Sequence, residues 1–385
     1  MSALHKYFYL AKEKTVKSAK IFHSSIPKWL YIFPILAAIA LILHTVCRFS
    51  VGFADFMIEY ICTGVRFCLA KLTGWIPFSV GEMTLLLLPF AIIALIILTV
   101  RLAMKFNVKI YCRTIAGMLS VIFLLYTLFV FTLAPGYKSS TLDVKLGMEQ
   151  VPVSADELLS TAEILRDNAH ALLDEVTFRY ANFSVMPYSL DEMNAKLNEA
   201  YQKAGEKYAF LHNFSSNIKY VIHSEPMSYT HITGVYSYYT GEANLNVNFP
   251  DYSLPFTAAH ELAHQRGIAR ENEANFVAFL VCMESDDPYI RYCAYVNMME
   301  YVMNSLYAAS PDYYGSFYGT LDSKIIYEYR ANSAFFEKYR ENIAADVSSA
   351  VNNNYLQSQG QTEGTRSYGL VVDLTVAYYK NQQNG

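Results

Sequence analysis

Three long apolar runs occupy the first third of the chain, and a mixed pattern of polar and apolar positions follows them. The runs cover about 29–47, 84–100 and 114–133, each close to the ~20 residues that a membrane-spanning helix needs. We therefore predict a basic N-terminal segment at 1–28, a transmembrane region of three helices at 29–135, and a water-soluble domain at 136–385.

The composition agrees with this division. Hydrophobic residues make up 53% of the chain and charged residues only 17%, whereas about a quarter of a soluble protein is usually charged. The lipid bilayer is therefore an expected partner. The formal charge of −4 provides no basic surface for nucleic acid, which we exclude as a partner.

Positive charge is distributed unevenly between the segments that join the runs. Residues 1–28 contain six lysines and one acid, Glu13. Four basic residues and no acid lie between the second and third runs: Arg101, Lys105, Lys109 and Arg113. The loop from Gly52 to Glu82 carries both signs. Since positively charged loops stay in the cytoplasm, we predict a multi-pass protein of the cell membrane with a cytoplasmic N-terminus and an extracytoplasmic C-terminal domain.

The pattern after residue 150 predicts mostly helices. Ser154 with Glu157, and Ser189 with Glu192, have the spacing of capping boxes at helix starts. Residues 219–224 and 242–249 alternate between polar and apolar positions, which is typical of strands. Beyond Pro255 the helical pattern continues to about Asn352. The predicted fold class is mainly α with a small β-sheet, following the three-helix transmembrane region.

The candidate chemistry lies in the sequence HELAH. His260 and His264 are four residues apart, so a helix presents both imidazoles on one face, where they can hold adjacent corners of a zinc tetrahedron. Glu261 follows the first histidine directly. A carboxylate in that position can take a proton from an attacking water, which makes Glu261 the candidate general base.

A third ligand requires the helix to end soon after His264. In a continuous helix Glu271 would lie ~10 Å along the axis from His264, too far to share an ion. Gly267 suits the left-handed residue that follows a helix, so we expect a turn there and a second helix that brings a glutamate back. Two candidates, Glu271 and Glu273, are placed to return.

The segment is similar to the zinc peptidases called gluzincins, whose third ligand is a glutamate on a later helix. In several gluzincin families that helix has the pattern E-x-x-A-D or E-x-x-A-N, which Glu271, Ala274 and Asn275 match. The resemblance implies a zincin-like α+β domain that binds Zn²⁺ through His260, His264 and Glu271, with Glu273 as the alternate ligand. Asn275 would then support a ligand histidine.

The chain as a whole resembles an uncharacterised bacterial membrane family, domain of unknown function 3810. The shared features are the three apolar runs and four segments: GWIPFSVGE, TGEANLNVNF, HELAHQRGIARENEANF and SQGQTEGTRSYGLVVDL. This resemblance implies a zinc-peptidase site without a known substrate.

The predicted function is that of a membrane-anchored, zinc-dependent metallopeptidase acting on an extracytoplasmic peptide or protein. One alternative is a non-catalytic sensor or assembly protein that keeps the zinc site for binding. Another is a zinc hydrolase of cell-wall cross-links. The intact Glu261 favours an enzyme, because a binding site does not need a base.

Several points stay open at the sequence level. The oxyanion of the reaction needs a stabilising group, for which Tyr368 is the first candidate and Arg366 and Arg270 are others. The segment 242–249 is either the edge strand that pairs with substrate or part of a core sheet. Cys282 and Cys293 are either a disulfide or two buried thiols.

Overall fold

Helices account for most of the described chain, and a small sheet completes it, as the sequence predicts. The computed structural model describes residues 24–148, 152–179, 183–212, 214–340, 342–361 and 370–384. By their internal contacts the residues form two compact units, Met1–Val46 with Glu82–Phe131, and Cys47–Gly81 with Thr132–Gly385.

Three helices among the described residues are long and apolar enough to cross a membrane: Lys28–Phe49, Val80–Met104 and Val108–Thr132. We label their α-helical parts α1 (Ile32–Phe49), α4 (Val80–Met104) and α5 (Val108–Thr132). The first two extend beyond the predicted runs at both ends, and the third begins six residues earlier than predicted and ends one residue earlier, at Thr132. Within the first unit, Arg113 Nε donates to the carbonyl of Ser25 at 3.0 Å.

The segment between the first two apolar helices is helical rather than an open loop. It contains α2 (Val51–Phe56), a π-helical stretch (Met57–Cys62) and α3 (Thr63–Gly74). It belongs to the same compact unit as the C-terminal domain. The mixed charges of Gly52 to Glu82 predict a connecting loop, and the helical structure of this segment corrects that prediction.

The remaining helices lie in the second unit and follow the predicted pattern. Both predicted capping boxes are present, at Ser154 and Ser189. The helices are α6 (Leu142–Leu146), α7 (Ala155–Ala171), α8 (Leu190–Lys207), α9 (Ser224–Ser228), α10 (Leu254–Gln265), α11 (Glu271–Met283), α12 (Pro288–Ala309), α13 (Pro311–Tyr318), α14 (Ser323–Lys338), α15 (Ile343–Ser358) and α16 (Val371–Asn384).

The sheet has three short strands in the order β1 (Lys219–Tyr220), β3 (Glu242–Leu245), β2 (Gly234–Ser237). Strand β3 is parallel to β1 and antiparallel to β2. It is therefore central, and the suggestion that 242–249 forms an edge strand was wrong. The second edge, β2, was not predicted, because four residues beginning with a glycine show no clear alternation.

The two helices of the HELAH region lie in the core of the second unit. Helix α10 packs against α11 and β3, and α11 packs against α8 and α12. Of the α11 residues, Phe276 to Cys282 are all buried, so this helix is apolar on nearly every side. Cys282 and Cys293 are both buried free thiols.

Candidate metal centre

Helix α10 ends in a turn made by a glycine. The last helical residue is Gln265, Arg266 is the C-cap, and Gly267 follows it. Gly267 has a positive φ of 100°, its N–H donates to the carbonyl of His264 at 2.9 Å, and the N–H of Ile268 donates to the carbonyl of Ala263 at 3.1 Å. These two bonds form a Schellman motif. The predicted break at Gly267 is confirmed, and the turn points the Ile268 carbonyl back toward the helix.

That carbonyl fixes the orientation of His264. The Nδ1 atom of His264 lies 2.7 Å from the Ile268 oxygen, and the Nδ1 atom of His260 lies 2.7 Å from Asn275 Oδ1. A carbonyl oxygen only accepts hydrogen bonds, so each Nδ1 carries the proton and donates it. In the neutral rings both Nε2 atoms are therefore lone-pair acceptors.

Both Nε2 atoms face Glu271, which returns at the first turn of α11. The two Nε2 atoms are 3.0 Å apart, and Glu271 Oε2 lies 3.2 Å from His260 Nε2 and 3.4 Å from His264 Nε2. Three acceptor atoms at such distances repel one another unless a positive charge lies among them. The three side chains therefore form a site that could hold a cation, either a proton or a metal ion.

The spacing fits a tetrahedral metal ion. Ligand atoms at ~2.0–2.1 Å from a tetrahedral zinc lie ~3.3 Å from one another, and the three observed separations are 3.0, 3.2 and 3.4 Å. Three protein ligands leave a fourth corner free. His260, His264 and Glu271 expose only 8%, 7% and 9% of their surface, so all three side chains are almost fully excluded from solvent.

Charges in the site stabilise one another. Burial raises the pKa of Glu271, but the charge of His264 and hydrogen bonds from both histidines outweigh it and hold that pKa well below its usual range. Burial lowers the pKa of His264, and the Glu271 carboxylate more than compensates, raising it to about 9. The Glu271 carboxylate thus stabilises a positive charge beside the two histidines, whether a proton or a metal ion carries that charge.

Glu261 lies beside this cluster with an unused oxygen. Its Oε2 is buried and has no hydrogen-bond partner among the residues that the structure describes. Burial raises the pKa of Glu261 to about 7, against a smaller lowering by His260 and His264. Gly234, the first residue of β2, approaches so closely that a Cβ there would lie 2.6 Å from Glu261 Oε1 and 2.7 Å from its Cγ. Only glycine leaves room for the observed Glu261 rotamer.

Glu273 faces away from the histidines. Its Oε1 accepts from Arg270 Nη1 at 2.9 Å and from the backbone N–H of Leu142 at 2.9 Å. Arg270 also donates to the carbonyls of Tyr137 and Ser139, at 3.2 and 2.7 Å. We call these residues, together with the chain from Tyr137 to Leu142, the brace, because they fasten the turn that carries Glu271.

Comparison with known proteins identifies a family. The family described as Protein of unknown function (DUF3810) has a model that matches residues 58–376. The chain belongs to this family. No curated protein and no solved structure matches the chain. The match covers the brace, the HELAH helix and Glu271, so the candidate centre lies inside the region that defines the DUF3810 family.

The structure separates the predicted site residues into two groups. It brings His260, His264, Glu271 and Asn275 together beside Glu261, and it places Glu273 and Arg270 in the brace. Arg270 thus points to backbone carbonyls rather than to the candidate centre. Tyr368 and Arg366 lie outside the described residues.

Three neighbours of the centre were missed at the sequence level. Gly234 limits the position of Glu261, and Arg66 donates to the carbonyl of Arg266 at 3.3 Å, just after α10. The hydroxyl of Tyr355 lies 3.1 Å from that of Tyr137. Burial raises the pKa of Tyr355, the hydrogen bond with Tyr137 opposes this rise, and the charge of Glu271 adds to it. Tyr355 is one of 32 tyrosines, so no sequence signal distinguishes it.

Proposed function

We propose that this member of the DUF3810 family is a membrane-anchored zinc metallopeptidase that hydrolyses peptide bonds outside the cytoplasm. The observation that supports it most is the convergence of His260 Nε2, His264 Nε2 and Glu271 Oε2 within 3.4 Å of one another. Two imidazoles and one carboxylate suit Zn²⁺, whereas Ca²⁺ and Mg²⁺ prefer sites made of oxygen atoms.

The residues of the chain have distinct roles in this proposal. His260, His264 and Glu271 would hold the ion, and Asn275 and the Ile268 carbonyl keep both rings turned toward it. When bound, zinc supplies a Lewis acid that polarises a carbonyl and eases deprotonation of water at neutral pH. Glu261 accepts the proton of the attacking water and returns it to the leaving amine nitrogen.

Glu261 favours hydrolysis over a purely binding role. Burying a carboxylate with one oxygen unpartnered costs several kcal/mol, an order-of-magnitude figure for desolvated charges. Holding a cation does not require this side chain, since the three acceptors described above suffice. A group that destabilises the fold and lies beside the site is best explained by use in the reaction.

The orientation in the membrane is part of the proposal. The lysines of 1–28 and the four basic residues between the second and third apolar helices support a cytoplasmic location for both segments. Three crossings then leave the metal domain outside. In a Cys68→Ser background, which removes the exposed native thiol, labelling of Ser349→Cys by a membrane-impermeant thiol reagent added to intact cells tests this orientation. Labelling only after the membrane is opened would contradict it.

Hydrolysis is tested with the full-length protein in lipid nanodiscs. Zinc content and cleavage of a peptide library are measured for the wild type, Glu261→Gln and, as a control outside the centre, Glu273→Gln. We expect equal zinc in all three and a loss of turnover of ~10²–10⁴-fold in Glu261→Gln alone. Equal turnover in the wild type and Glu261→Gln would refute the assigned base.

Two further outcomes redirect the proposal. Bound zinc without cleavage of any peptide by the wild type would indicate the non-catalytic sensor or assembly role. Cleavage of muropeptides but not of ordinary peptides would identify cell-wall cross-links as the substrate. The same panel therefore separates all three functions that the sequence leaves open.

A further inference from the structure

The helical segment between the first two apolar helices has one buried face. Five of its buried residues recur every four positions through α2, the π-helical stretch and α3: Ala54, Ile58, Cys62, Arg66 and Ala70; Met57 is buried as well. This face packs on the metal domain, since the turn at Gly241 lies against Leu69 and Ala70. Arg66 is fully buried there and donates to the carbonyls of Thr132, Ile58 and Arg266.

The opposite side of the segment is apolar and exposed. We call it the outer face, and it consists of eight large side chains that are each at least 40% exposed: Val51, Phe56, Tyr60, Ile61, Phe67, Leu72, Trp75 and Phe78. Charges do little to interrupt it. Asp55 binds Ser140 and Lys71 donates to the Ser215 carbonyl, which leaves Glu59. A patch of this kind marks a membrane or protein interface.

Chain continuity indicates which partner covers the outer face. The segment is joined directly to an apolar helix at each end, Lys28–Phe49 before it and Val80–Met104 after it. If those helices cross a bilayer, the chain leaves the membrane at Phe49 and enters it again near Val80, so both ends lie at the same membrane surface. Aromatic residues such as Trp75 are characteristic of that surface.

We propose that the outer face lies in the headgroup region of the bilayer, with α2 and α3 parallel to the membrane surface. An amphipathic helical segment with an apolar face and few charges binds membranes in this way. The outer face thus provides a second contact between the protein and the membrane. This contact is made by the unit that carries the metal centre rather than by the spanning helices.

The arrangement places the metal domain close to lipid. Arg66 contacts the residue after α10 at 3.3 Å, and its helix contacts lipid with the other side. Because a helix with its side chains is ~10–12 Å across, the end of α10 lies about one helix diameter from the headgroups. If the proposed peptidase function is correct, its substrates are polypeptide segments next to the membrane surface; the lipid contact itself does not depend on that function.

A native cysteine allows a direct test. Cys68 on α3 is exposed, and the other five cysteines are buried. A nitroxide spin label on Cys68, with the protein in lipid nanodiscs, reports its depth through collisions with oxygen, which concentrates in lipid, and with a nickel chelate, which stays in water. The control is Cys68→Ser with Ala195→Cys, which places the label on the exposed, polar side of α8.

We expect the Cys68 label to collide at least about threefold more with oxygen, relative to nickel, than the control label does, as for a residue at the membrane interface. Equal ratios at the two positions would overturn the proposal. A label shielded from both reagents would also overturn it, because protein, such as a second copy of this chain, would then cover the outer face.

A second measurement needs no label and guards against perturbation by the nitroxide. Trp75 is one of two tryptophans and is 79% exposed. In the Trp29→Phe protein it is the only tryptophan, and its fluorescence should fall at least about twofold in nanodiscs made with brominated lipid, relative to unbrominated lipid. Unchanged fluorescence would contradict a lipid contact at Trp75.

Discussion

Glu271 and Glu273 are two residues apart, are both buried at the start of α11, and have opposite surroundings. Glu273 meets donors, the guanidinium of Arg270 and the N–H of Leu142. Glu271 meets two further acceptors, the Nε2 atoms of His260 and His264. A carboxylate surrounded by donors is satisfied within the protein, whereas three converging acceptors are complete only with a cation. The difference separates a structural carboxylate from a candidate ligand.

The pKa shifts follow the same division. Burial raises the pKa of Glu273, and the charge of Arg270 reduces that rise. Glu271 is equally buried, yet the positive charge of its histidine neighbours reverses the effect and lowers its pKa. Replacing each glutamate with glutamine removes the charge and keeps the shape, so the pair provides a matched comparison.

The largest expected effect concerns metal affinity in that pair. Glu271→Gln should weaken zinc binding by more than ~100-fold, since even loss of an outer-shell partner costs ~10–100-fold. Glu273→Gln should keep the affinity and lower the stability of the domain by about 2 kcal/mol, because Arg270 loses a charged partner. Competition with a chelating dye measures the affinities. A larger loss of zinc affinity in Glu273→Gln than in Glu271→Gln would mean that Glu273, and not Glu271, is the ligand.

A smaller effect is expected one turn further along α11. Asn275→Ala removes the acceptor for His260 Nδ1, so the ring is no longer held, and zinc affinity should fall ~10–100-fold. Asn275→Asp keeps an acceptor at that position and should bind zinc at least as well as the wild type. If alanine and aspartate had the same effect, the hydrogen bond to His260 would not orient the ligand.

A still smaller effect distinguishes the base from the ligands. Gly234→Ala would place a Cβ within 3 Å of three Glu261 atoms, so the carboxylate must shift. We expect turnover to fall ~10-fold or more, since an ångström of misplacement is costly in catalysis, while zinc affinity stays unchanged. Val235→Ala, at an exposed position of the same strand, is the control. Unchanged turnover in Gly234→Ala would mean that β2 does not determine the catalytic position of Glu261.

Another buried glutamate, Glu328, provides the smallest effect and a useful contrast. It is 1% exposed, its Oε1 accepts from the N–H of Ser184 at 2.8 Å, and its Oε2 has no partner among the described residues, but unlike Glu271 it belongs to no cluster of metal-ligating side chains within those residues. It should therefore bind a proton rather than a metal ion. Burial raises its pKa to about 7, with hydrogen bonds from Ser184 and Tyr292 opposing and the charge of Asp251 adding a smaller rise.

The sign of the pH effect follows from proton binding. Between the unfolded value of ~4.3 and about 7, the folded protein keeps a proton on Glu328 that the unfolded chain releases, so stability falls as pH rises through this window. Glu328→Gln cannot titrate. Relative to the wild type, its free energy of unfolding should gain on the order of 2–3 kcal/mol on going from pH 5 to pH 8, measured by denaturant unfolding at each pH. A pH-independent difference would mean that Glu328 is ionised throughout.

Local signals predicted the parts of the site that lie close together in sequence. The capping boxes at Ser154 and Ser189 and the turn at Gly267 depend on residues within one helical turn, so the sequence alone is sufficient. The pairing of His260 and His264 depends only on helical spacing. Glu271 was preferred over Glu273 through a family pattern, since spacing alone allowed either residue.

Features that depend on distant parts of the chain were not predicted. Arg66 is buried because it meets a carbonyl 200 positions away, and a charged residue between apolar runs gives no hint of that contact. Ala54, Ile58, Cys62, Arg66 and Ala70 recur every four positions, but the charges in this segment, Arg66 among them, hide an apolar helix face. Strand β2 depends on pairing with β3, which four residues cannot specify.

The central claim is that two imidazoles and one carboxylate hold a single divalent cation. Zinc X-ray absorption on the full-length protein, stripped with a chelator and then reloaded, tests it most directly. The account predicts one zinc per chain, with two imidazole nitrogens and a carboxylate oxygen at ~2.0–2.1 Å in the wild type, and loss of that oxygen in Glu271→Gln. A protein that takes up no zinc, or whose zinc has no imidazole ligand, would contradict it.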